Sequence, residues 1–541
     1  MTATPVAGDL STETLVIKNA TVYDGTGYPP FAGAVAVRGD SIVGVGRRLD
    51  IDGARELDVS GLTVAPGIID LHTHSDVSLL SDPDCVSAIR QGITTQVVGH
   101  CGFSAAPTNR STRRSLVAEE PVFGFPPGDG FPSGEWGWDS IEDYLDVVRA
   151  AAPRTNVATL VGHNTLRRLV VGSDDHPVGA AQIDRMRGLV ASALQQGALG
   201  FSTGLSYAPG LFAGIEEIAA VASVAGAHGR RYHTHMRYGD LSTRESLAEA
   251  IDTARRSETP LNVSHLYPGR GDGPDEAARL LEMVESARRD GLDVTFDLTL
   301  FPRGGGTWIQ SLPAWAQEGG LAAIVRRLRD AEFRRRLLDA IGRSSSTRDW
   351  DDDLIVKINR PENAGFIGRS IGAIARERGI APEEAALALV EEDGQFWIAP
   401  TIKRQADLDL LLSHPACVPV TDGMAAHPVR HAALGLMPKT FGTFPHLFGS
   451  YVRERGILTL ADAIARVTSL AAQRLGLADR GRLEEGKKAD LMVFDPDSVS
   501  NRATDHEPGL APSGISAVMV NGVWALSEGV LTPGRSGRAI T

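Results

Sequence analysis

Eight short apolar runs, most of them separated by stretches of helical periodicity, set the limits on what this chain can fold into. The first closes as P-G-I-I-D-L (66–71). T-T-Q-V-V-G-H (94–100), N-V-A-T-L-V-G-H (156–163), A-L-G-F-S-T-G (198–204) and R-Y-H-T-H-M (231–236) follow, then P-L-N-V-S-H-L (260–266), D-V-T-F-D-L-T (293–299) and C-V-P-V-T-D (417–422). Between them, 180–196, 216–227, 243–256 and 275–289 carry apolar residues at three- and four-residue spacing, the mark of amphipathic helices. Strands alternating with helices predict an α/β fold, a (β/α)8 TIM-type barrel over residues 65–475. The segment from about 304 to 404, between strands seven and eight, is too long for an ordinary loop and has helical stretches of its own, so an inserted lid is expected there. The flanks have a different texture. In 1–64 and 476–541 short β runs alternate with turns, and Asn521-Gly522 between apolar residues is a hairpin signal. The two chain ends are expected to pair into one small β-sandwich domain.

Composition bears on partners. A net charge of -13 opposes a nucleic-acid footprint, which needs a basic face. No apolar stretch reaches membrane-spanning length, and the first ten residues lack the charged-then-apolar order of a signal peptide. The expectation is a cytoplasmic protein acting on a small molecule, with no nucleic-acid or membrane partner and with homo-oligomer formation left open. Three cysteines, Cys85, Cys101 and Cys417, cannot make a disulfide framework.

Ligand-grade side chains gather where the predicted strands end: His72 and His74, His100 and Cys101, His163, His235, His265 and Asp422. His72 and His74 are two apart, so in extended chain both imidazoles face one way. The carboxyl ends of barrel strands form the active-site face, which brings residues distant in sequence together. Any one of these is more often a core or loop residue; their coincidence at so many strand ends favours a metal site. Cys101, in V-V-G-H-C-G-F, can be a thiolate ligand to a borderline-soft ion such as zinc, a nucleophile or a packing thiol, with the ligand role favoured. Cys85 and Cys417 read as inert packing. Two-metal barrel hydrolases often bridge their ions with a carboxylated lysine from a middle strand, and no lysine occurs between Lys18 and Lys357. A thiolate from Cys101 would take that place. Asp422, in V-T-D-G-M, is placed to move a proton between metal-activated water and a leaving group.

These motifs resemble the amidohydrolase superfamily and, within it, the N-acyl-D-amino-acid deacylase (D-aminoacylase) branch. The likeness spans nearly the whole chain: P-G-I-I-D-L-H-T-H-S-D, V-V-G-H-C-G-F-S-A-A-P, L-V-G-H-N-T-L-R, F-S-T-G-L-S-Y-A-P-G, T-H-M-R-Y-G-D, V-T-D-G-M and D-R-G-R-L-E-E-G-K-K-A-D-L-M-V-F-D. The resemblance implies a tightly bound Zn2+ on Cys101, His235 and His265, a second, weaker position at His72 and His74, and Asp422 as the catalytic carboxylate. It favours His235 over His233, because the branch places its ligand immediately before Met-Arg. Two departures concern the substrate. Leu266 and Tyr267 stand where the branch carries His-Lys, and the run ending at Phe301 replaces D-V-Y-P-Y, so the lysine and tyrosine that hold the α-carboxylate are missing. Tyr207, Arg237, Tyr267 and Arg303 are the candidates for substrate contact, although either arginine could equally serve a structural pair. The reading is zinc-dependent hydrolysis of a linear C–N amide bond, in an N-acyl (D-)amino acid or related N-acyl compound. The alternatives are an amidohydrolase acting on an amide, carbamate, cyclic imide or lactone without an α-carboxylate, and a non-catalytic scaffold on a hydrolase barrel. A scaffold has no need for all six ligand-grade residues at strand ends.

Overall fold

The computed structural model describes residues 13–119, 137–238, 241–344, 348–432 and 436–541. Residues 1–12 of the N-terminal β part, Gly239 and Asp240 of the T-H-M-R-Y-G-D motif, and 345–347 of the insertion lie outside the described residues.

All eight expected strands form, and every pairing among them is parallel. One sheet orders Cys417–Pro419, Val294–Leu298, Leu261–Val263, Arg231–His235, Gly200–Gly204 and Val161–Gly162; a second orders Ile68–Asp70, Ile93–Val98 and Asn156–Thr159. Leu160 alone separates Asn156–Thr159 from Val161–Gly162, so one chain segment passes from the second sheet into the first. At the other margin Thr73 bridges Gly423 in parallel, and the Asp422 amide donates to the His72 carbonyl at 3.0 Å. Residues such as Val294, Phe296 and Leu298 are fully buried, as parallel strands covered on both faces require. The intervening helices match their periodicity: Ala180–Gln195, Ile215–Ala227, Thr243–Ser257 and Glu276–Arg289. Ser242 and Glu245 start the third of these with a reciprocal capping box.

The first apolar run divides between two sheets. Thr63–Pro66 pairs antiparallel with Leu491–Phe494, whereas Ile68–Asp70 pairs with Ile93–Val98. Gly67 makes the crossing possible, because a Cβ there would lie 2.3 Å from the Thr94 side chain. Strands from both chain ends share one continuous nine-stranded sheet, in which Thr14–Val22 and Thr63–Pro66 are neighbours and Leu491–Phe494 leads on to Ile515–Val520. The strands that the sequence assigned to a small β-sandwich are joined in this one hydrogen-bonded sheet. The insertion carries a three-stranded sheet of its own, Gly306–Thr307, Trp397–Ala399 and Leu354–Lys357. It also has a separate apolar core around Trp308, Ile324, Val390 and Phe396. No helix among the described residues is long and apolar enough to cross a membrane.

Candidate active site

Where the parallel strands end, Cys101, four histidines and Asp422 converge. The donor atoms of His72, Cys101 and His265 all lie within 4.8 Å of one another, and so do those of His72, His74 and Asp422. Cys101 Sγ is 3.4 Å from His72 Nε2 and 3.7 Å from His265 Nε2; His265 Nε2 is in turn 3.0 Å from His235 Nδ1. Asp422 Oδ1 stands 3.1 Å from His74 Nε2 and 3.5 Å from His72 Nε2. His72 belongs to both groups and joins them.

The backbone at these residues is unusual. Cys101, His265 and Asp422 adopt φ of 52°, 36° and 44°, in the left-handed region that L-residues avoid at a cost of about 1–3 kcal/mol each. Glycines make the turn at Cys101 fit. A Cβ on Gly99 would sit 2.3 Å from the Leu160 carbonyl oxygen, and one on Gly102 would sit 2.4 Å from Asn164 Oδ1. The G-H-C-G sequence therefore lets the backbone press against the next strand and turn the thiol inward.

Asp297, fully buried at the end of its strand, supports the cluster from beneath. It accepts from the His265 amide at 2.6 Å and from Asn262 Nδ2 at 2.8 Å, and lies 3.3 Å from His72 Nδ1. A carboxylate against one ring nitrogen leaves the opposite nitrogen of His72 facing the cluster, the usual arrangement behind a ligating imidazole. Asp70 ties the first strand to the last, accepting from Thr421 Oγ1 at 2.5 Å; burial raises its carboxyl to about 7.

Charge is strongly coupled here. Burial alone would raise the Cys101 thiol, yet His72, His235 and His265 hold it well below its ordinary value. Burial would likewise raise Asp422, but Lys439 above all, then His74 and His72, keep it well below the usual carboxylate range. His74 is raised to about 9 against its burial by Asp422 and Cys101. Protons on His72 and His74, both raised by the anions beside them, offset negative charge that a cation would otherwise balance. Two imidazole nitrogens and a thiolate within reach of one point form a donor set suited to zinc.

Other expected residues lie elsewhere. His163 begins the helix His163–Val170 and contacts Glu217 at 3.0 Å beside the fully buried Arg167, a structural triad. His100 stacks on His72 with ring centroids 4.1 Å apart, and His233 sets its ring edge-on to His100 at 5.1 Å. Burial takes both imidazoles below their ordinary range, His233 to about 3. Cys85 and Cys417 are buried, their thiols pushed up by burial to about 11 and about 12. Arg237 is bound to Glu249 and to the Leu211 and Ala213 carbonyls; Arg303 pairs with Asp352 and Asp505. Both arginines are engaged in structural pairs away from the cavity wall, whereas Tyr207 and Tyr267 line it.

That cavity, about 700 Å³, has the His–Cys–Asp cluster on one wall and the insertion on the other, including Trp315, Trp397 and Ile402. Three contributors escaped the sequence reading. Lys439 pairs with Asp422 from the start of the helix Pro438–His446, Lys403 enters from the insertion, and Tyr238 packs its ring 5.3 Å from that of His235. The T-H-M-R-Y run held a signal for Tyr238. Nothing in the spacing of either lysine pointed to the cluster.

Parallel strands flanked by helices, with histidine, thiolate and carboxylate donors at their carboxyl ends, define a metal-dependent hydrolase of the amidohydrolase type. The chain belongs to the amidohydrolase family, whose profile matches residues 55–525. N-acyl-D-glutamate deacylase of Alcaligenes xylosoxydans xylosoxydans is 32% identical over 94% of this chain and 92% of its own length. A D-aminoacylase structure concerned with that enzyme's binuclear metal centre superposes with a TM-score of 0.81 at 31% identity, covering 97% of this chain and 99% of that one. N-acyl-D-glutamate deacylase from Bordetella bronchiseptica, complexed with zinc and a phosphonate inhibitor, gives 0.81 at 29% identity with the same coverage.

Proposed function

We propose that this protein hydrolyses the amide bond of an N-acyl-D-amino acid, with zinc held by Cys101, His235 and His265 and a second, weaker position at His72 and His74. The observation that carries the reading is the convergence of these five side chains with Asp422 at one end of the parallel strands. Likeness over nearly the whole length to deacylases of N-acyl-D-amino acids supports the substrate class. Zinc in such a site supplies an electrophile for the scissile carbonyl and acidifies water.

The chain's own residues do the rest. Asp422, held ionised by Lys439, takes a proton from the attacking water and returns it to the departing amine nitrogen. Asp297 keeps the imidazole of His72 oriented. Tyr207, Tyr238 and Tyr267 wall the reacting groups away from bulk water. The fold is read as a closed (β/α)8 barrel, supported by the Thr73–Gly423 bridge between the first and last strands, with 304–404 as its lid.

Metal analysis and hydrolysis of N-acyl-D-amino acids, N-acyl-L-amino acids and uncharged amides test the proposal. Cys101→Ala is expected to lose zinc. Asp422→Asn should keep it while turnover falls by about 10²–10⁴-fold, the typical contribution of a positioned proton-transfer group. Wild-type protein that holds zinc but ignores every N-acyl amino acid would overturn the substrate class. Full activity in Asp422→Asn would remove that residue from the chemistry.

A further inference from the structure

The insertion sends one lysine back to the strand-end face. Lys403 follows the strand Trp397–Ala399, and its amide donates to the Pro302 carbonyl at 3.1 Å. The residue is only 4% exposed, yet it lines the cavity. Its ammonium donates to Thr299 Oγ1 at 2.8 Å and to the Phe301 carbonyl at 3.2 Å, and lies 4.9 Å from the centre of the Tyr267 ring.

All three of those partners are neutral. Among the described residues no carboxylate forms an ion pair with Lys403, and Asp422 is already taken by Lys439 and His74. A buried ammonium without an anion is costly, because its lost hydration is not repaid. Burial accordingly pulls Lys403 down to about 7. Two of the three N–H groups are occupied, which leaves one donor for a further acceptor. The charge is set in the wall of the cavity that also holds Cys101, His265 and Asp422, so a ligand can reach both. Neither Leu266 nor Phe301 brings a charge to this wall.

We propose that Lys403 is the anion anchor of this cavity, binding the carboxylate of an N-acyl amino acid whose amide lies at the Cys101–His265 cluster. The assignment rests on the hydrolase reading above and narrows it to carboxylate-bearing substrates. Carboxylate held by Lys403 also restores full charge to the amine, since an adjacent anion favours the protonated form.

Three compounds separate the sources of that carboxylate: N-acetyl-D-methionine, its primary amide, and N-acetyl-D-isoglutamine, which has only a side-chain carboxylate. In Lys403→Met, KM for at least one carboxylate compound should rise about 10- to 100-fold, the loss expected for a hydrogen bond between charged groups. Hydrolysis of the primary amide and zinc content should stay within about threefold and unchanged respectively, and Lys403→Arg should recover part of the loss. An effect confined to the methionine compound assigns the α-carboxylate; one confined to the isoglutamine compound assigns the side-chain carboxylate. Equal losses on all three compounds, or none on any, overturn the assignment. Wild-type protein that hydrolyses none of them counts against the substrate class on which the assignment rests, whereas hydrolysis indifferent to Lys403→Met overturns only the role of the lysine.

Discussion

Asp297 touches no substrate-facing position, yet it holds two of the residues that do. Its carboxylate fixes the His72 ring through Nδ1 and captures the amide of His265, whose φ of 36° needs such a restraint. Asp297→Ala should therefore weaken metal binding about 10- to 100-fold, the usual cost of losing a carboxylate behind a ligating histidine. Titration against a chelator of known affinity checks this; unchanged affinity would mean that His72 and His265 hold their places without it. Asp297 also illustrates which part of the site was legible. His72, His74, Cys101, His235, His265 and Asp422 stood out because reactive side chains are rare at the ends of apolar runs. Asp297 sits inside such a run, where a single acid has no periodic signature. Lys439 and Lys403 act across distances that only the fold creates, the first over 17 residues and the second over 104 to Thr299.

The helix is the scale at which His163 acquires its meaning. It begins the helix His163–Val170, four residues before the fully buried Arg167, and both face Glu217 from the helix Ile215–Ala227. Strand-end position alone could not separate this structural histidine from the ligating ones, because its partner lies on another element 54 residues away. Removing Glu217 leaves a buried guanidinium uncompensated, so Glu217→Ala should destabilise the protein by about 3–5 kcal/mol. Burial alone would raise the Glu217 carboxyl, but His163 and Arg167 hold it below its ordinary value. A folded-state pKa depressed in this way stabilises the protein above the unfolded-state value, about 4.3, and the contribution is lost as pH falls through the folded value. Denaturation midpoints for wild type and Glu217→Ala should thus be far apart at pH 7 and converge below pH 4. A gap independent of pH would show that Glu217 acts through packing rather than charge.

Across the whole molecule, two cores with different surroundings enclose one cavity. The parallel strands are covered on one face by a core that spans residues 65–526 and on the other by a small cluster around Ile69, Val97 and Val418, while the insertion closes around a core of its own. The alternation of strands and helices made the first predictable. The length of the 304–404 segment made the second visible as a separate body, but its three short strands lack the period that would have announced them, and the split of the first apolar run at Gly67 depends on a steric contact with Thr94 that no pattern encodes. Separate cores open separately, and the element with the smaller core and more exposed backbone opens at lower free energy. Amides of Leu354–Lys357 should then exchange with solvent faster than those of Arg231–His235 in the native protein. Ligand bound in the shared cavity touches both walls, so it stabilises the closed arrangement in proportion to its differential affinity for it. A phosphonate analogue of an N-acyl amino acid should slow exchange in Leu354–Lys357 and in the strand Trp397–Ala399, ahead of Lys403, more than in Arg231–His235. Equal protection of both regions without ligand, or a uniform response to it, would mean that the insertion and the strands open as one unit and that the cavity admits substrate by some path other than movement of 304–404.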